Sequence, residues 1–176
     1  MPFTAVRIAD GFWSPRLETN RAVTVRHDFD KCETTGRVAN FAVAGGLAKG
    51  EFVGLFGFND SDVYKVIEGA SYALSVTPDP KLEAYVDGVI ATIAAAQEPD
   101  GYLYTTRTID PANPHRWAGP ERWTLEKDDS HELYNLGHLF EAAVAHNLAT
   151  GKKNLLDVAT KAADLLVKTF GPGKRT

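Results

Sequence analysis

The run Ser130-His131-Glu132-Leu133-Tyr134-Asn135-Leu136-Gly137-His138 holds the densest set of chemically able side chains in the sequence. Wound as a helix, His131, Asn135, His138 and Ala142 fall on one face, and Leu133, Leu136, Phe140 and Val144 fall on the other. Tyr134 flanks the first stripe. Two imidazoles, an amide and small residues on one side predict the polar wall of a substrate pocket, with the leucine side packing inward. The same spacing also suits histidines that are merely satisfied within a core or on a helix surface. A zinc pair would place two histidines at i, i+4. Here the step is i, i+7, about 10 Å along the axis, so no zinc site is expected from these two alone.

Gln97-Glu98-Pro99-Asp100-Gly101-Tyr102 is a second candidate. Pro-Asp-Gly is turn chemistry by itself. The aromatic-rich segment behind it (Tyr102, Tyr104, Trp117, Trp123) adds faces on which sugar rings stack, so Asp100 and Tyr102 join the candidate binding residues. Asp60-Ser61-Asp62 is read equally well as helix capping, and Glu68 as a residue on a solvated face. Cys32, the single cysteine, reads as a buried inert thiol. No phosphate-binding glycine loop and no Gly-x-Ser-x-Gly elbow occurs.

The elements that must position these residues follow from periodicity and punctuation. Ser14-Pro15 opens a helix to Cys32, with Leu17, Val23 and Phe29 among its apolar residues. A shorter helix runs from Val38 to Ala48, and the glycine-rich stretch 49–60 is a loop. Val63, Ile67, Ala70 and Leu74 share one helical face. Thr77-Pro78-Asp79-Pro80 stops that helix, and 81–97 returns with Leu82, Val86, Val89, Ile93 and Ala96 aligned. Ser130 caps a helix over 131–149, Thr150-Gly151 ends it, and 153–170 is the last, with Leu155, Val158, Ala159, Ala162 and Leu166 on one face. Between the two hairpins lies a 32-residue connection, 98–129, with four prolines. Loops this long are functional or disordered, and its aromatic content argues for order. No strand alternation is visible.

The hairpins resemble each other. Asp62-Val-Tyr-Lys and Glu132-Leu-Tyr-Asn lie 70 residues apart, and Leu82 and Leu155 lie 73 apart. Repeated helical hairpins imply stacking into a solenoid or closed toroid. The fold class is therefore all-α, a helical-hairpin repeat.

Composition excludes several functions. The chain has 176 residues with net charge −4, so no basic surface awaits nucleic acid. No basic start with an apolar run marks a signal peptide, and no stretch approaches the roughly 20 apolar residues that cross a bilayer. A cytoplasmic protein without membrane or nucleic-acid partners is expected.

In order along the chain come Gly11-Phe-Trp-Ser14, Gly50-Glu-Phe52, Asp60-Ser-Asp-Val-Tyr-Lys65 and Pro78-Asp-Pro80. Ala96-Gln-Glu-Pro-Asp-Gly-Tyr-Leu103, Ser130-His-Glu-Leu-Tyr134, Gly137-His138, Glu141-Ala-Ala-Val-Ala145, Thr150-Gly151 and Phe170-Gly-Pro172 follow. This series resembles the N-terminal part of glycoside hydrolase family 127, the β-L-arabinofuranosidases, over nearly the whole chain. The resemblance implies an (α/α)6 toroid followed by β-sandwich domains. It implies release of non-reducing-end β-L-arabinofuranose with retention, by a cysteine nucleophile held as a zinc thiolate and a glutamate acid/base. The substrate would be an arabinose-containing oligosaccharide or glycoconjugate. By the same resemblance His131 matches a histidine that contacts the sugar, whereas the family's early glutamine contact has no match between Cys32 and Asn40. The zinc ligands, nucleophile and acid/base lie beyond position 176 in the family. Residues 1–176 are thus expected to be an incomplete (α/α)6 toroid. They would have no metal or catalytic residue of their own, and the C-terminal remainder of the toroid as partner. Zinc is expected only in the full-length family member. A carbohydrate-binding helical repeat, or a toroid epimerase or lyase, would share these features.

Overall fold

A computed structural model describes residues 1–175. After a 3-10 turn at Phe3–Ala5, α1 (Trp13–Thr19), a π turn (Asn20–Thr24) and α2 (Val25–Thr34) run on as one rod. Then come α3 (Arg37–Ala44), α4 (Asp60–Val76), α5 (Pro80–Ala96), a single turn α6 (Thr105–Thr108), α7 (Glu132–Thr150) and α8 (Asn154–Thr169). Among the described residues the one β feature is an isolated bridge between Phe170 and Arg175. The chain is all-α, as the periodicity predicts, and every long helix lies within a few residues of its expected span.

The caps differ from expectation. Asp10, not Ser14, receives the Phe12 and Trp13 amides at the head of α1. Asp79 receives the Lys81 and Leu82 amides, each at 3.1 Å, with Pro80 at the first helical position of α5. This satisfies donors that the first turn leaves free. Ser130 does not cap α7. Its hydroxyl donates to Glu126 and Glu132, while Glu126 receives the Glu132 and Leu133 amides at 2.8 and 3.1 Å. Neither Asp60 nor Ser61 caps α4: the Asp60 carboxylate is turned into the protein towards Thr105. Gly151 ends α7 in the left-handed region, φ 76°, as the Thr-Gly stop predicts.

The two hairpins stack in parallel. Ser61 pairs with Asn135, Lys65 with Tyr134, and Glu68 approaches His138, so α4 and α7 run side by side in one direction. The return helices do likewise. Lys152 bonds Asp87 and Glu83, Asn154 bonds Asp87, and Gln97 donates 2.8 Å to the Val158 carbonyl. The α1–α2 rod lies antiparallel to α4, with Arg26 reaching Asp79 at one end and Cys32 near Asp62 and Lys65 at the other. α3 crosses the top, from an Arg37–Asp62 ion pair at its start to the end of α5, where Gly45 abuts Ala95. One end of the molecule therefore gathers the starts of α4 and α7, α3, and the loops 45–59 and 97–131.

The predicted apolar faces of α4 and α5 are all buried, as are Leu155, Val158, Ala159 and Ala162 of α8. In the first rod, Phe29 is buried but Leu17 and Val23 are exposed. Cys32 is buried, and burial, then the charge of Asp62, pushes its thiol up to about 11. The α7 facing departs from the prediction on both sides, although Phe140 of the predicted packing side is half-buried against the core. Asn135, Ala142 and Ala145 are buried against α4 while Leu133 and Val144 are exposed, although Leu136 is buried. Two helices that pack along their whole length need small residues at the seam, and that requirement outweighs the pull on two leucine-like side chains.

His146 of α7 is fully buried with neither ring nitrogen hydrogen-bonded. Burial, reinforced by Lys152 and opposed by Asp87 and Glu83, holds it below the usual histidine range. The folded chain thus binds fewer protons than the unfolded chain below about pH 6.5. Stability from this group is present above that pH and is lost on acidification, by up to about 1.4 kcal/mol per pH unit. Asp60 acts oppositely: burial raises it to about 6, so its contribution falls as pH rises towards that value. Urea denaturation of His146→Leu between about pH 7.5 and 5 is expected to show less acid destabilisation than the parent chain. An unchanged pH slope overturns this assignment.

Candidate functional site

Two buried carboxylates set the floor of the site. Asp60 and Glu132 are the first residues of α4 and α7. Asp60 receives the Thr105 amide at 2.8 Å and the Thr105 hydroxyl at 2.5 Å. Glu132 receives the Trp123 amide at 2.9 Å, the Tyr102 hydroxyl at 2.6 Å and the Ser130 hydroxyl at 2.7 Å. Burial raises both above the usual carboxylate range, against the pull of these donors. Each carboxylate fastens a different stretch of the long connection, so that segment is ordered, as its aromatics predict. Tyr104 completes the attachment by donating 2.6 Å to the Ser130 carbonyl.

His131 stands on this floor at the head of α7. Its backbone is left-handed, φ 55°, which is uncommon for a residue with a side chain and strained unless its surroundings enforce it. Here Nδ1 lies 2.7 Å from the Asp129 carbonyl. A carbonyl can only accept, so Nδ1 carries the proton, and Nε2 of the neutral ring is left as an acceptor. Phe58 meets the imidazole edge-on at 5.1 Å and Tyr134 at 5.9 Å. Tyr134 in turn meets His138 at 4.7 Å and receives a 2.8 Å hydrogen bond from Lys65, whose ammonium also bonds Ser61. His138 Nδ1 sits 3.2 Å from Glu141, with Glu68 of α4 beside them. Beyond Phe58, Phe56 stacks at 5.0 Å and continues to Trp117. The result is a polar ridge along the α4–α7 seam, fringed by aromatic rings at its upper end.

The six sequence-predicted residues divide. His131, Tyr134 and His138 come together on the ridge. Asn135 lies behind them, fully buried, receiving the Ser61 amide and donating to the Gly57 carbonyl, each at 3.1 Å; its amide is used up in joining α7 to α4. Tyr102 is buried with its hydroxyl on Glu132. Asp100 receives the Tyr102 amide and pairs with Arg122, which also holds Glu98 and covers the Tyr102 ring at 4.0 Å. The Asp100 turn is thus a structural clasp apart from the ridge. Phe58, Lys65, Glu68, Glu132 and Glu141 were not singled out as site residues. The repeat gave a partial signal: it pairs α4 with α7, but its register sets Lys65 opposite Asn135, whereas the Lys65 ammonium bonds Tyr134.

The zinc-thiolate centre implied by the resemblance needs thiolate donors. Cys32 is the one cysteine, buried, with a raised pKa. It does not fit that role.

Stacked helical hairpins, with α4 and α7 starting at one polar, aromatic-fringed end, make up part of an (α/α) toroid. The chain belongs to the β-L-arabinofuranosidase GH127 catalytic-domain family, whose model matches residues 5–176. It is 47% identical over 135 residues to the non-reducing end β-L-arabinofuranosidase of Bifidobacterium longum subsp. longum, covering 77% of this chain and 20% of that enzyme. It is also similar to a GH127 β-arabinofuranosidase of solved structure, with a TM-score of 0.93 and 52% identity across 99% of this chain and 28% of that one. A GH127 β-L-arabinofuranosidase from Geobacillus stearothermophilus T6 gives 0.87 and 38%, over 96% of this chain and 26% of that one. The chain therefore spans about a quarter of the length of these relatives. No helix among the described residues is long and apolar enough to cross a membrane.

Proposed function

We propose that this chain forms one wall of the sugar pocket in a retaining β-L-arabinofuranosidase acting on non-reducing ends of arabinose-containing oligosaccharides or glycoconjugates. One observation carries the reading. His131 is held in a left-handed backbone with its Nδ1 proton committed to Asp129, so its Nε2 is set to accept a hydrogen bond from a sugar hydroxyl. Tyr134 and Phe58 restrict the ring, and Lys65 fixes Tyr134. These groups bind and orient. A retaining reaction also needs a nucleophile and an acid/base, and this chain offers no activated thiol for the first role. The remainder of the toroid would supply both, together with the zinc that the family implies.

The 176-residue chain should accordingly show no zinc-dependent turnover of an aryl β-L-arabinofuranoside. Grafted in place of the matching segment of the 52%-identical relative, it should sustain hydrolysis. His131→Ala in that chimera should lower kcat/KM by about 10- to 100-fold, the worth of about 1.4–2.7 kcal/mol of lost hydrogen bonding. A folded chimera without activity, or one indifferent to His131→Ala, overturns the proposal.

A further inference from the structure

We infer that Glu68, His138 and Glu141 form a divalent-cation site across the α4–α7 seam. One ligand atom from each lies within 4.8 Å of the other two. His138 and Glu141 are one turn apart on α7, so they share a face, and Glu68 meets them from the parallel α4.

Four observations distinguish this trio from an ordinary surface cluster. The first is charge. Neither glutamate is paired with a lysine or arginine among the described residues; the ion-pair contact they make is that of Glu141 with His138. The basic side chain one turn away, Lys65, is committed to Ser61 and Tyr134. Two carboxylates therefore face one imidazole with no permanent cation between them. The second is the imidazole itself. His138 Nδ1 is shielded from solvent and makes no aligned hydrogen bond, although Glu141 is 3.2 Å away. A buried ring nitrogen without a partner is costly unless something else binds it. The third is orientation. Tyr72 donates a 2.5 Å hydrogen bond to Glu68 Oε1, and Tyr134 packs edge-on against the His138 ring at 4.7 Å. Ligand carboxylates and imidazoles are characteristically held by such outer partners. The fourth is access: a cleft of about 440 Å³ bordered by Glu68, Tyr72, Phe140, Glu141 and Val144 opens beside the trio.

One nitrogen and two carboxylate oxygens suit a borderline divalent ion of the zinc or cobalt class, with water completing the shell. Glu141, its side chain 62% exposed, has the freedom to swing inward and close the donor spacing. The set contains no cysteine.

The test uses the 176-residue chain stripped with chelator. It is titrated with zinc chloride by calorimetry and with cobalt chloride by visible absorption. One ion per chain is expected, with cobalt d–d bands reporting nitrogen and oxygen ligands. Glu141→Gln, at an exposed position, and His138→Gln should each weaken zinc at least about tenfold, and Tyr72→Phe by about tenfold through Glu68. Circular dichroism confirms folding, and Glu141→Gln stands alone if His138→Gln does not fold. No binding at millimolar zinc overturns the inference. So does stoichiometric binding that survives Glu141→Gln undiminished, or a sulfur-to-cobalt charge-transfer band, which would move the ion to Cys32.

Discussion

Glu132→Ala is expected to lower the unfolding free energy by about 4 kcal/mol, read from urea denaturation. The carboxylate is 1% exposed and receives the Trp123 amide, the Tyr102 hydroxyl and the Ser130 hydroxyl. Truncation leaves the Trp123 amide and the Tyr102 hydroxyl without an acceptor in a dry site, while the Ser130 hydroxyl keeps Glu126, and each unmade bond costs about 1–3 kcal/mol before relaxation. The loss should be local as well as global. Tyr102 and Trp123 pack edge-to-face at 5.3 Å, and Trp123 meets Phe170 at 5.5 Å, so releasing Glu132 frees a large aromatic group. Trp123 fluorescence should shift, and protease should cut within 105–130 under native conditions. Glu132→Gln keeps one acceptor oxygen and should lose about half as much. A change below about 1 kcal/mol in the alanine variant would show that the connection is held by its aromatic packing alone.

Gly101→Ala carries the second large effect, about 3–4 kcal/mol. Gly101 has φ 101°, and a Cβ there would lie 2.3 Å from the Lys161 carbonyl oxygen and 2.8 Å from its carbon. Those are backbone atoms of α8, so nothing flexible can move aside. The left-handed strain and the overlap add, because relieving one does not relieve the other. The turn would have to lift from α8, pulling with it the Gln97 side chain, which bridges the Gly101 and Val158 carbonyls at 3.1 and 2.8 Å. Gly69→Ala in α4 is the matched control. A Cβ at Gly69 meets nothing within 4 Å, so alanine there should stabilise by about 0.5–1 kcal/mol. If both variants have the same stability, the close approach of the turn to α8 is not a constraint.

The sequence carries the helices and their order because periodicity and stop signals are local. Val63-Ile67-Ala70-Leu74 and Leu82-Val86-Val89-Ile93 could each be read from their own helix, and both stripes are buried. What periodicity does not encode is which stripe faces which neighbour. On α7, Asn135 and Ala142 look like a polar, open side until α4 is placed against them. Its length of contact with α4 then makes small residues the packing surface, and Leu133 and Val144 the exposed one. The caps failed for a related reason. Glu126 and Asp60 act across loop and tertiary distances, where a nearest-neighbour rule sees the adjacent serines. The hairpin repeat was legible, but its alignment of Tyr64 with Tyr134 joins unlike positions: Tyr64 is fully buried and Tyr134 is 43% exposed. The structural counterparts are Asp60 and Glu132, the buried carboxylates that open the two helices. Of the site, His131 and Tyr134 were readable from one helix. Lys65, Glu68 and Phe58 were not, since they arrive from elements far away in the chain.

The parallel seam of α4 and α7 also has a bearing on how the chain reaches this structure. Each hairpin closes over a short turn and can form by itself in microseconds. The seam cannot: the Ser61–Asn135 bond joins positions 74 apart, and closing a flexible segment of that length costs about 4 kcal/mol of chain entropy. The connection pinned by Asp60 and Glu132 shortens the search only once it is itself in place. Docking of one preformed hairpin on the other is thus expected to be the slow step of refolding. Substitutions at Asn135 or Ala142 should act on the folding rate, whereas those inside the α7–α8 turn should act on the unfolding rate only if that turn closes after docking.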